Sequence, residues 1–94
     1  MVFDLSKITG IGEFTVQQEP TRDLYLKDGR TFLVLHRNTM EVRIDPRLGD
    51  NLKEKYESVM ESRYYGRNGI EIVLAGQLNQ SELEDLIRLS YNLT

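Results

Sequence analysis

Cysteine and tryptophan are missing from these 94 residues, and proline occurs only twice. Without cysteine there is no disulfide, no thiolate metal ligand and no cysteine nucleophile. The fold must then rest on an apolar core that is small at this length, since such a chain buries only about 60–65 % of its unfolded surface. A single histidine, His36, excludes a histidine-rich metal site. No apolar run approaches the roughly 20 residues of a membrane-spanning helix. Residues 1–7 lack the basic stretch and apolar run of a signal peptide. The expectation is one soluble, cytoplasmic domain over residues 1–94 with no membrane partner. The Asn-x-Ser/Thr triplets at Asn79 and Asn92 are read as chance matches.

Charge of one sign does not dominate either. Twelve basic and fifteen acidic residues leave a net charge of −3. Both ends are acidic, while residues 21–69 carry ten basic and eight acidic side chains, a local balance of +2. Affinity for a phosphate backbone comes mainly from counterion release at Lys and Arg, so the overall charge counts against nucleic acid and leaves only a local patch to provide it.

The patterns that are present describe a two-layer domain. Ile70, Ile72 and Leu74 recur at every second position, with Glu71 between the first two, the period of a half-buried strand. Ser81 with Glu84 reads as a capping box, and Leu83, Leu86, Ile87, Ser90, Tyr91 and Thr94 follow at helical spacing. Leu89 and Leu93 widen that face beyond a single buried stripe. Upstream, residues 14–17 read as a first strand after the glycine loop Ile8-Thr9-Gly10-Ile11-Gly12-Glu13. That loop has only a weak likeness to a DNA-binding helix-hairpin-helix turn, because a strand and not a helix follows it. Asp28-Gly29 sits between β-rich runs at 23–27 and 30–36, the signature of a type I′ hairpin. A further strand carries Met40, Val42 and Ile44 on one face. Asp45-Pro46 caps and opens a helix, and Leu48, Leu52, Tyr56, Val59 and Met60 make one stripe that ends near Glu61 or Ser62. Gly49 weakens this helix by about 1 kcal/mol relative to Ala. The fold class expected is α+β: an antiparallel sheet of about four to five strands against two main helices, in the order β-β-β-(β)-α-β-α.

Candidate chemistry is sparse. Glu61-Ser62-Arg63-Tyr64-Tyr65-Gly66-Arg67-Asn68-Gly69 brackets two tyrosines with two arginines, a composition suited to phosphate contact and ring stacking. The same stretch also suits a plain helix-to-strand connection with solvated arginines, or a protein interface, where Tyr and Arg are enriched. Arg63, Tyr64, Tyr65, Arg67, Asn68 and the more distant Arg37 are the candidate nucleic-acid or ligand contacts. His36 has the side chain for acid–base work, but its sequence neighbours Arg37 and Asn38 supply no base. Glu82, Glu84 and Asp85 fall in the first turn of the last helix, where they complement its dipole. No catalytic, cofactor or metal-ligand motif occurs. The chain is expected to be no enzyme and to hold no cofactor or metal.

The C-terminal part also carries a resemblance. Asp45-Pro46-x-Leu48, then Leu52, Tyr56 and Val59, then the strand at 70–74 and Glu82-Leu83-x-x-Leu86-Ile87-x-x-Ser90-Tyr91-x-Leu93 resemble the MmcQ/YjbR-like family over about residues 30–94. The resemblance implies a CyaY-like or double-wing α+β fold and DNA binding. It departs at 62–69, which replaces a family stretch containing histidine and tryptophan, so no binding residue carries over. Two functions follow as expectations: a non-enzymatic binding module with DNA as its partner, or a structural domain that associates with another protein or with itself.

Overall fold

A computed structural model describes residues 3–94. Its elements run β1 (Thr15–Gln18), β2 (Arg22–Lys27), β3 (Arg30–His36), β4 (Thr39–Arg43), α1 (Pro46–Lys55), β5 (Val59–Ser62), β6 (Gly66–Val73) and α2 (Gln80–Leu93), after a short 3₁₀ turn at Leu5–Lys7. All the strands join one six-stranded antiparallel sheet in the order β1-β2-β3-β4-β6-β5. The class is α+β with two helices, as the patterns imply, with one more strand between the helices than expected.

That strand comes from the sequence assigned above to the end of the first helix. α1 stops at Lys55, because Tyr56 turns to an extended backbone while its N–H still closes on the Leu52 carbonyl. Val59, Met60, Glu61 and Ser62 then pair with β6 instead of adding two more helical turns. The stripe of Tyr56, Val59 and Met60 fits a helical period in isolation, and the free edge of β6 decides the matter by offering a ladder of backbone partners. Leu48, placed on the buried stripe, is 39 % exposed. Gly49 takes the buried position: a Cβ there would lie 3.2 Å from Ile44 Cγ2, so the glycine lets α1 come close to the sheet.

The Asp28-Gly29 hairpin is as expected, with φ of 51° and 79°. One residue beyond it, the β2–β3 register slips: Leu26 faces Thr31 while Tyr25 faces Leu33. Phe32 is the extra residue, and the bulge puts both Phe32 and Leu33 into the core. α2 starts two residues earlier than Ser81–Glu84 suggests. Asn79 is the N-cap: its side chain accepts from Glu82 N at 2.8 Å, and Glu82 Oε1 accepts from Asn79 N at 3.1 Å.

Both helices cover one face of the sheet. Leu83, Ile87 and Tyr91 of α2 close over Met40, Val42, Ile70 and Ile72, joined by Phe3, Leu5 and Ile8 from the N-terminal turn. Ser90, fully buried among them, donates to the Phe32 carbonyl and accepts from Arg43 N, so it ties α2 to two strands.

Candidate functional site on the helix-free face

Among the described residues the other face carries no helix. Strand alternation turns Thr31, Val34 and His36 of β3, Thr39, Glu41 and Arg43 of β4, and Glu71 of β6 toward it. Glu41 and Glu71 stand directly opposite each other in the ladder, and their side chains are 1 % and 5 % exposed. Like charges so placed repel, and burial adds to the cost. The cover over them is the connection from β5 to β6.

That connection is a strap. After Ser62 the chain turns back over the sheet through Arg63, Tyr64 and Tyr65, and β6 regains its pairing with β5 only after an irregularity in register. Gly69 makes room: a Cβ there would lie 2.6 Å from Tyr65 Cβ and 2.7 Å from the Val42 carbonyl oxygen. Each glutamate then holds part of the strap. Glu41 Oε1 accepts from Ser62 Oγ and from Tyr64 N, both at 2.8 Å, while its Oε2 meets His36 Nε2 at 2.5 Å. Glu71 accepts Arg63 through Nε at 2.9 Å and Nη2 at 2.7 Å, and also accepts Thr39 Oγ1 at 2.8 Å. The fork-to-fork Arg63–Glu71 geometry is the strong form of such a pair. Tyr64 Oη and Thr31 Oγ1 share a hydrogen bond of 3.0 Å, and Tyr65 Oη donates to the Thr31 carbonyl.

Burial by itself pushes both glutamates up, but hydrogen bonds win. His36, the Tyr64 amide and Ser62 hold Glu41 below its ordinary value, and Arg63 and Thr39 do the same for Glu71. Burial raises the Tyr65 phenol well above its usual range. Both carboxylates are therefore anionic at neutral pH.

Three of the six candidate residues meet here. Arg63 and Tyr64 reach solvent, with Arg63 71 % exposed in spite of its carboxylate partner, and Tyr65 lies half-buried with the Arg43 guanidinium 5.1 Å from its ring centre. Arg37 is exposed at the β3–β4 turn and lines a shallow hollow of about 290 Å³ with Arg22 and His36. Arg67 belongs elsewhere, 3.6 Å from Asp50 of α1. Asn68 serves the backbone, its carbonyl accepting from Ile44 N. The sequence reading of His36 is corrected: its carboxylate partner is Glu41, five residues on, brought to it by the β3–β4 hairpin.

Sequence reasoning missed Arg22, Glu41, Arg43 and Glu71. Glu41 and Glu71 each lie between two core residues, in Met40-Glu41-Val42 and Ile70-Glu71-Ile72, and so read as the solvent side of a strand. Their central position within their strands was the available signal. Arg22 places its guanidinium 5.6 Å from the Tyr64 ring centre and bonds Glu19 at 2.7 Å. Donor atoms of His36, Glu41 and Glu71 lie within 4.8 Å of one another, the one such group among the described residues. These atoms are already engaged with one another and with the strap: Glu71 holds the Arg63 guanidinium and Glu41 holds His36.

Fold and site together define a small α+β domain with an open sheet, one face closed by helices and the other by a polar strap. No family model, no curated protein and no solved structure matches this chain.

Proposed function

We propose that the chain is a non-enzymatic binding module that takes single-stranded nucleic acid, DNA in the first instance, on the helix-free face. One observation carries the reading. Tyr64 is exposed at the crest of the strap, with the Arg22 guanidinium against its ring and Arg63 beside it in the chain. An exposed aromatic ring among guanidinium groups is how sequence-tolerant single-strand binders stack bases and meet phosphates. Glu71 engages only Nε and Nη2 of Arg63, and the remaining donors stay free for a phosphate while the side chain is held in place. A duplex offers no unstacked base to Tyr64, so the face suits a single strand better. The resemblance of residues 30–94 to MmcQ/YjbR-like proteins implies the same kind of partner.

The test is fluorescence anisotropy of labelled single-stranded and duplex DNA at low and at physiological salt. The single strand should bind more tightly, and binding should weaken as salt rises. Tyr64→Ala should cost about 1–3 kcal/mol of binding. Arg63→Ala should lower the salt slope by about 1, whereas Arg67→Ala, on the helix side, should change neither. Absence of binding at low salt, or binding indifferent to Tyr64→Ala and Arg63→Ala, would overturn the assignment.

A further inference from the structure

The sheet has two edges, and they differ. At the β5 edge the ladder shifts register after Glu61, and Lys53 of α1 reaches toward Glu61 at 3.9 Å. Within the strand itself, the β1 edge has no such protection. Its four residues, Thr15-Val16-Gln17-Gln18, are all exposed and uncharged, contain no proline, and pair with β2 without a bulge. Protein sheets ordinarily blunt an exposed edge with charge, proline or a bulge, because its unpaired backbone groups invite another strand. Val16 adds an apolar side chain that is 44 % exposed.

One hydrogen bond shows which groups are free. Glu19 N donates to the Arg22 carbonyl at 2.9 Å, so Glu19 faces β2. Alternation then turns Thr15 and Gln17 toward β2 as well, and leaves the N–H and C=O of Val16 and Gln18 pointing outward.

We propose that this edge receives a second copy of the chain, β1 against β1 in antiparallel fashion, about a two-fold axis through Gln17. The register follows from the sequence. Outward residues must meet outward residues, and setting Val16 against the partner's Gln18, and the converse, uses every free group of both in about four hydrogen bonds. Centring on Val16 instead would bring Glu13 opposite the partner's Glu19, a like-charge pair. Centring on Gln18 would bring the partner's Pro20, which has no N–H, opposite Val16. Of these three registers, the Gln17-centred one alone avoids both. It also carries the partner's Pro20 past Phe14, beside an open hollow of about 500 Å³ lined by Gly12, Phe14, Thr15 and Leu26.

Such pairing is isologous and joins two six-stranded sheets into one. Its axis runs perpendicular to the sheet, so the helices of both copies lie on one side and both helix-free faces on the other. The association rests on the edge alone and stands whether or not that face binds nucleic acid.

Light scattering on the full chain, from micromolar to millimolar loading, should show the mass rising from 11.0 kDa toward twice that value. Gln17→Lys sets two lysines opposite each other across the axis. It should keep the mass at that of the monomer, with far-ultraviolet circular dichroism and thermal melting confirming the fold. Gln17→Glu should do the same, and mixing the two variants should restore the dimer. Because the chain has no cysteine, Gln17→Cys provides a second readout. At this non-hydrogen-bonded position the two Cα atoms would be about 4.5 Å apart, within disulfide reach. Oxidation should cross-link Gln17→Cys and leave Asn51→Cys, on exposed α1, largely monomeric. A wild-type mass of 11.0 kDa at every loading would overturn the proposal, as would a dimer that persists in Gln17→Lys.

Discussion

The two faces of this sheet are built from the same short stretches of chain and closed by different physics. Met40, Val42, Ile70 and Ile72 point to the helices, and Glu41 and Glu71, the residues between them, point to the strap. On the helix side, stability comes from apolar area removed from water, a term without direction, worth roughly 25 cal/mol per Å². On the strap side it depends on placing each donor, since a neutral hydrogen bond yields a net of only about 0.5–1.5 kcal/mol and an unmade one costs more. The helix side thus tolerates changes of shape better than changes of polarity. The strap side depends on particular atoms and has exposed groups left over to meet a ligand.

The largest expected effect tests the apolar face. Ile72→Ala, in the middle of the core, should cost about 4 kcal/mol in urea unfolding through lost burial and the cavity left behind. Its dependence on pH should match the wild type. Next comes the hub of the polar face. Glu41→Ala leaves His36, Ser62 and the Tyr64 amide without their shared acceptor, and should cost about 3 kcal/mol by the same measurement. A loss near zero would mean that the strap is held by its tyrosines, and that the contrast between the faces is drawn too sharply. Gly69→Ala drives a methyl group against Tyr65 and the Val42 carbonyl, and should cost about 2 kcal/mol while exposing the strap to proteolysis.

Acidity separates the faces most selectively. Glu41 and Glu71 are held below their ordinary values in the folded chain, so at low pH the unfolded chain binds more protons than the folded one. Their contribution is complete above the ordinary carboxylate value of about 4.5 and is lost as pH falls through the lower folded values. Glu41→Gln should flatten the decline of stability in that acid window, and Ile72→Ala should leave it unchanged. Equal slopes in wild type and Glu41→Gln would remove Glu41 from the acid response.

Local signals were legible wherever the deciding physics was local. Asp28-Gly29 specified its hairpin because positive φ is a property of two residues, and Asp45-Pro46 opened α1 because a cap and a proline act on one helical turn. The end of α1 was not legible: Val59 and Met60 suit either period, and only the open edge of β6 favours the strand. The cap of α2 was read two residues late, at Ser81–Glu84, because Asn79–Glu82 has the same spacing and it is this pair that closes the capping box. Of the site, the Arg63-Tyr64-Tyr65 cluster stood out by composition, while its partners are distant in sequence, with Thr31 more than thirty residues from both tyrosines.

What this sequence determined by itself is the class: alternation and helical periodicity within short windows commit the chain to an antiparallel sheet with two helices on one side. What only the tertiary structure decided is the meaning of the polar half of that alternation. A glutamate between two core residues is solvated unless another segment folds over it, and whether one does depends on a turn more than twenty residues from Glu41. Register then set Glu41 against Glu71 and the strap closed over both, joining His36, Arg63 and Tyr64 into one network that no window of sequence contains.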